Sequence, residues 1–260
     1  NANTGARQDT LNDATRARIG TYVEWQGDWS ERWTTLLGVR NDTVLSDAAD
    51  VALSFPASAA DRAAFNARAH DFTDVNRDVT AAVRFTPDEH SHYELAFARK
   101  NRAPSLLERY LWTPLSASAG QADGRTYLGN LDLDSETSHQ FAATADWHGE
   151  RWQFKVTPFY NFVSDYIQGT PTTRIVNGQP VLRFENVDRA DLYGVDSAAR
   201  IALSKQFALR GTLSYVHGRN RENDDNLYRL APLHGTVALD HQWSAWRNTV
   251  ELVWADEQDK

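Results

Sequence analysis

The 260-residue chain has a formal net charge of -8, 41% hydrophobic residues and no cysteine, at a mean hydropathy of -0.58. No stretch reaches the roughly 18 to 20 uninterrupted apolar residues that a membrane-crossing helix needs, which excludes a helical membrane protein. Without cysteine there is no disulfide, thiolate metal site or cysteine catalysis, and basic residues scattered along an acidic chain argue against nucleic acid as a partner.

The first residues, Asn1-Ala2-Asn3-Thr4, show neither the basic region nor the apolar core of an export signal, so the start reads as internal. Period-two alternation then sets in. Ile19, Val23 and Trp25 oppose Glu24 and Gln26; after a short turn at 27–31, Trp33, Leu37 and Val39 oppose Thr34 and Arg40. A long segment follows at 46–74, with a short helix expected over 57–69. Val79, Val83 and Phe85 then oppose Thr80 and Arg84. Past a turn at 86–90, Tyr93, Leu95 and Phe97 oppose His92 and Glu94. Residues 100–137 form the longest predicted loop, with one helical turn after Pro104. Phe141 and Trp147 oppose Gln140, Thr144 and Asp146, and a turn at 148–150 leads to the sharpest alternation, 152–162. There Trp152, Phe154, Val156, Pro158, Tyr160 and Phe162 form one face, and proline at 158 predicts a local irregularity.

A long loop is expected at 164–180, then one long strand from Leu182 to Leu203, with Tyr193, Val195 and Ile201 against Asp196 and Arg200. After a turn at 204–206, Phe207, Leu209, Leu213 and Tyr215 oppose Arg210, Thr212 and Ser214. A loop at 217–231 precedes two last strands, joined at 244–245. Here Leu233, Val237, Leu239 and Trp243 oppose Thr236, Asp240 and Gln242, and Val250, Leu252 and Trp254 oppose Thr249 and Glu251.

Charge decides between the ways such strands can fold. Glu24, Arg40, Arg84, Glu94, Lys155, Asp196, Arg200, Arg210, Asp240 and Glu251 all fall in the polar set, and no charge falls in the apolar set. A transmembrane barrel requires this sorting, because Lys or Arg facing lipid at the midplane costs about 2 to 4 kcal/mol. A soluble sandwich also sorts its faces. Connection lengths favour the barrel, since short turns alternate with long segments as periplasmic turns alternate with extracellular loops. Trp25, Trp29, Trp33, Trp147, Trp152, Trp243 and Trp246 all lie at short turns, where indoles mark a membrane interface. The fold class is therefore all-β, an antiparallel transmembrane β-barrel segment of about ten strands.

Three segments, in order, resemble TonB-dependent outer-membrane receptors: Asn101-Arg102-Ala103-Pro104-Ser105-Leu106-Leu107-Glu108-Arg109-Tyr110, then Gly129-Asn130-Leu131-Asp132-Leu133-Asp134-Ser135-Glu136-Thr137-Ser138, then Phe184-Glu185-Asn186-Val187-Asp188-Arg189-Ala190-Asp191-Leu192-Tyr193-Gly194-Val195-Asp196. Ser135 stands where that family usually has proline, and Asp196 where glutamate is usual. The resemblance implies a barrel of about 22 strands with a plug domain and an energy-coupling box, neither of which is visible. The end, Asp256-Glu257-Gln258-Asp259-Lys260, is not an aromatic-terminated strand, so an internal segment of a longer receptor is expected. Implied with it are a bacterial outer-membrane location, active uptake of a scarce nutrient such as a metal chelate or siderophore, and no covalent chemistry or cofactor. The expected partners are the TonB complex through the plug, the bilayer with its lipopolysaccharide, and an extracellular ligand.

Candidate ligand contacts are Arg99, Lys100 and Arg102, a positive rim where a strand rises into the longest loop, with Glu108, Arg109, Tyr110 and Trp112 beyond it. The loop segment reads equally as packing. Arg84, Glu94, Lys155, Arg210, Asp240 and Glu251 face the lumen and are expected to meet a plug. With no Met or Cys, a soft Cu(I) site is excluded. His70 with Asp71 and Asp74, or His217 with Glu222, Asp224 and Asp225, are weak candidates for a borderline metal. A passive porin and a ten-stranded barrel protease share the strand pattern but not the three loop segments.

Overall fold

A computed structural model describes residues 9–114, 124–227 and 230–257. The termini read above as internal, 1–4 and 258–260, lie outside the described residues. Alternating sequence becomes one antiparallel sheet in chain order: β1 (Thr15–Asp28), β2 (Trp33–Asp47), β3 (Phe72–Asp88), β4 (Ser91–Arg102), β6 (Glu136–His148), β7 (Trp152–Val176), β8 (Gln179–Ala202), β9 (Phe207–Asn220), β10 (His234–Trp243) and β11 (Trp246–Ala255). The short β5 (Tyr127–Leu128) sits off this path and pairs in parallel with β8 at Leu182 and Arg183. Helix is confined to connections. A 3-10 turn (Pro56–Ser58) leads into α1 (Ala59–Asn66), and α2 (Leu106–Tyr110) follows Pro104, both where the sequence places them.

The register holds the apolar set on one side. Trp33 pairs with Phe85, Phe85 with Tyr93 and Tyr93 with Ala145; further from the turns, Leu37, Ala81, Phe97, Phe141 and Tyr160 form a continuous row. These side chains stay exposed: Ile19 is 66%, Leu95 68% and Val250 75% accessible. A water-exposed sheet with so much apolar surface is untenable, whereas hydrocarbon covers it without cost. At the short-turn end aromatic rings touch, Trp25 of β1 against Trp29 in the turn that follows, Trp33 on Phe85 across β2 and β3, and Trp147 donating its indole N–H to the Tyr93 hydroxyl at 2.9 Å.

Pro158 does interrupt a ladder. β6 and β7 pair continuously up to Ala142–Phe159 and again from Ala145–Val156, skipping the proline in between without shifting register. A hydrogen bond of 3.0 Å between the Thr144 and Thr157 hydroxyls spans the gap.

One expectation is overturned. Residues 164–180 are not a long loop: β7 runs on to Val176, and β8 returns from Gln179 through Asn177-Gly178. Both turn residues have positive φ, 53° and 77°, the conformation of a two-residue hairpin that matches strand twist. The hairpin ladder closes with Val176–Gln179, so ladder hydrogen bonds replace loop solvation. The long strand expected from Leu182 begins three residues earlier and otherwise stands.

Candidate functional site at the extracellular mouth

Buried apolar side chains gather above the sheet, between the long connections. Ala48, Val51, Phe65, Tyr110, Trp112 and Leu131 form one cluster, and Leu111, Tyr127, Leu133, Ile167, Leu182 and Phe184 a second. The 46–74 connection, residues 103–114 and 124–135, and the β7–β8 hairpin thus pack into a cap with its own core.

Local chemistry dictates how the cap closes. Pro104 disfavours continuing helix before it, and Ser105 caps α2 by accepting from the Glu108 N–H (3.3 Å) while Glu108 accepts from the Ser105 N–H (2.7 Å). Glu108 also receives Arg102, whose guanidinium simultaneously grips Glu136 at 2.6 and 2.7 Å. Burial pushes the Glu108 carboxyl up, but hydrogen bonds and charge from Arg102 outweigh it, so the group lies below the ordinary glutamate range. The chain then returns over the C-terminal end of α2, the Gly129 N–H donating to Leu111 O (2.7 Å) and the Asn130 N–H to Glu108 O (2.9 Å). A Cβ on Gly129 would lie 2.7 Å from Leu111 N and 2.9 Å from Arg109 O, so only glycine fits. Asn186 ties in the third segment, accepting from the Asp134 N–H at 2.9 Å and donating to Asp165 O at 2.6 Å. The three segments singled out in the sequence are therefore one interlocked unit.

Arg109 is the pin of the cap. It is 2% exposed, makes a two-point pair with Asp74 (2.7 and 3.1 Å), donates to Leu133 O (2.9 Å) and lies 4.4 Å over the Phe72 ring. Tyr110 is wholly buried and donates to His70 O at 2.8 Å, and its burial raises the phenol pKa. Trp112 is buried too, its indole N–H on Asp9 O. Arg109, Tyr110 and Trp112 thus hold loops together, and Glu108 caps a helix. Lys100 lies on the lumen face 3.8 Å from Asp78, whereas Arg99 projects from the opposite face, donating to Arg77 O and Asn101 Oδ1. The structure does not bring Arg99, Lys100 and Arg102 together as one rim.

The six residues expected to face the lumen lie on one face of the sheet. Arg84 pairs with Glu94 across β3 and β4 (2.7 Å), and Arg210 with Asp240 (3.2 Å) and Glu251 (3.3 Å) across β9, β10 and β11. Lys155 lies opposite Asp146, whose carboxylate accepts from Gln153; within the described residues it joins no ion pair. The sequence reading missed Asp42, gripped by Arg18 (2.5 Å) and Arg40 (2.6 Å), although Asp42 stands two places from Arg40 on the same face. It also missed Asp61, which joins Arg174 of the β7–β8 hairpin (2.7 Å) to α1 and has no local sequence signal.

The metal candidates are dispersed. His70 Nε2 lies 2.9 Å from Phe65 O with its ring stacked on Phe65, Asp74 is held by Arg109, Asp71 is exposed, and His217 packs against Tyr193 on the outward face. Among the described residues no group of three or more His, Asp or Glu side chains has the arrangement of a metal site.

An open, outward-greasy sheet bearing a packed cap narrows the family sharply, and the family model described as TonB dependent receptor-like, beta-barrel matches residues 1–259. The chain belongs to the TonB-dependent receptor β-barrel family. Solved structures share its fold: the copper transporter OprC (16% identity, TM-score 0.74, 94% of this chain and 36% of that one), the FrpB iron transporter from Neisseria meningitidis, F3-3 variant (15%, 0.61, 90% and 32%), and the siderophore receptor PirA from Pseudomonas aeruginosa (14%, 0.55, 93% and 48%). No curated protein matches the sequence. The chain spans about a third to a half of the length of these structures. Members of this family are outer-membrane receptors and transporters that work with TonB, and the partial barrel seen here fits that description.

Proposed function

We propose that this TonB-dependent receptor chain forms part of the barrel wall and extracellular cap of a transporter that takes up a scarce nutrient, a metal chelate or siderophore, across a bacterial outer membrane. The observation that carries the reading is the pinned cap above a lipid-wetted sheet, in a chain whose whole length matches the receptor barrel family. On this reading the plug and remaining strands belong to the full receptor beyond residues 1–260, and the TonB complex acts through that plug. Arg84, Glu94, Lys155, Arg210, Asp240 and Glu251 face the plug, and Lys155 is the member with a charge to spare for it. Ligand contact falls to the mouth-facing surface around Lys100 and Arg102, which Arg109, Tyr110 and Trp112 hold in shape from beneath. The protein binds and moves its ligand without covalent chemistry.

Deleting the whole gene and measuring uptake of a panel of ferric siderophores and metal chelates tests the proposal. The expected result is loss of uptake of one chelate class, with the same loss when TonB is removed. Uptake that persists without TonB would instead identify a passive channel.

A further inference from the structure

Three of the chain's eight histidines meet at the short-turn end of the sheet. His92 stands in register with Asp146, on the face that carries Arg84 and Glu94, and His148 lies two residues beyond Asp146 on that same face. The His92 and His148 rings stack at 5.3 Å with 27° between their planes, and His90, in the turn between β3 and β4, meets His148 edge-on at 6.3 Å. These contacts join two turns that the ladders hold loosely. β3 and β4 lose register between Phe85 and Asp88, where Pro87 has no N–H to offer, and the His92 imidazole is hydrogen-bonded to the Thr86 hydroxyl there at 3.0 Å. Pairing of β4 with β6 starts at Ser91–Trp147. Beyond it the turns are linked by the His148 N–H on His90 O (2.9 Å) and by the ring contacts.

The charges around the stack are already matched. Asp146 lies 3.8 Å from His148 Nδ1, but it also accepts from Gln153 at 3.2 and 3.1 Å and stands in register with Lys155. Glu150 and two guanidiniums, Arg151 and Arg200, line a hollow of about 380 Å³ that opens on to both rings. On the other side Glu94 is held by Arg84, Asp88 accepts from the His90 N–H (2.8 Å), and the exposed Glu89 lies 3.9 Å from His90 Nε2. A single imidazolium in the stack has Asp146 as its counter-charge. A second, 5.3 Å from the first, meets like charge on its face and the guanidiniums of Arg151 and Arg200 across the hollow. Imidazole is the side chain that gains a proton between about pH 5 and 8, so mild acid is enough to set this conflict.

We propose that His92 and His148 form a proton-operated clasp between the β3–β4 and β6–β7 turns, closed by the neutral stack and opened when both rings are charged. The clasp rests on the outer-membrane reading above for its place, which sets these turns in the periplasm, but not on which nutrient is carried. Acid then loosens the lower rim of the lumen at β4 and β6 in a range where the extracellular cap stays shut.

The test is hydrogen exchange on the full-length receptor in detergent, corrected for the intrinsic exchange rate, at about pH 7.5 and about pH 5. Protection at residues 88–92 and 147–150 is expected to fall about tenfold between the two, the order of the repulsion between unit charges some 5 Å apart in a half-exposed site. The β1–β2 turn at 28–33, which carries no histidine, should keep its protection. His92→Gln, which can still bond to Thr86, and His148→Gln should each abolish the acid-induced fall, with the rest of the β4 ladder protected to show that the variant is folded. No fall in the unaltered receptor, an equal fall at the β1–β2 turn, or a fall that persists in both variants would each overturn the clasp. The exchange measurement needs no nutrient, so the clasp stands or fails apart from the transport reading, which the uptake panel decides.

Discussion

The membrane-zone sheet and the extracellular cap are made from one chain but held together by different physics. In the sheet, large apolar side chains such as Ile19 and Leu95 stay exposed, and the strands are fixed by backbone ladders. Its stability depends on the solvent, because hydrocarbon offers backbone groups no alternative partner. In the cap, apolar residues are buried against one another, and the buried Arg109 is met by the Asp74 carboxylate and the Leu133 carbonyl. A change in the sheet is felt through the bilayer, and a change in the cap through packing and pairing.

The largest expected effect in the cap comes from Arg109→Ala, which strands Asp74 and empties a buried position. Removing one member of a buried pair costs about 3 to 5 kcal/mol. Hydrogen exchange should then show residues 46–74 and 103–113 opening while the ladders of β1 to β4 stay protected; unchanged protection in the loops would mean the pin is not structural. Tyr110→Phe removes only the bonds to Ser46 and His70 O, so the same loops should open more easily by about 1 to 2 kcal/mol, the cost of an orphaned buried acceptor.

Acidification should act on the cap more weakly. Because the Glu108 carboxyl lies below its ordinary range when folded, its contribution is complete above the unfolded value of about 4.3 and is lost as pH falls through the lower folded value. Loop protection should therefore hold from neutral pH to about pH 5 and decline only below about pH 4; a decline already near pH 6 would point to histidine instead. Smallest of all, Arg210→Gln breaks exposed lumen pairs with Asp240 and Glu251, and no measurable change in folding is expected from such solvated charges.

The sheet was legible in advance because its rule is local. Alternation every second residue placed each charge of Glu24, Arg84 or Glu251 on one side, and the strand order followed from turn lengths. The β7–β8 hairpin was the exception, and there the signal was present: Asn177-Gly178 is a hairpin turn, but Pro171 and the surrounding Thr, Gly and Arg residues weaken the alternation beside it. The cap was legible only as a family likeness. Its pairings, Arg109 with Asp74, Arg174 with Asp61, Asn186 with Asp134, join residues 35 to 113 positions apart, and no periodicity encodes them. The positive rim failed for a simpler reason: Arg99 and Lys100 are neighbours in sequence, and in a strand neighbours point to opposite faces.

The orientation of the sheet is tested most directly at two adjacent residues of β9. Leu213 lies on the proposed lipid face, and Thr212 on the lumen face, where its hydroxyl meets that of Thr236 at 2.8 Å. Folding of the full receptor into lipid vesicles should be weakened by about 2 to 4 kcal/mol with Leu213→Arg and barely altered with Thr212→Arg. Equal tolerance of both substitutions would contradict the assignment of one face to hydrocarbon and the other to the channel interior.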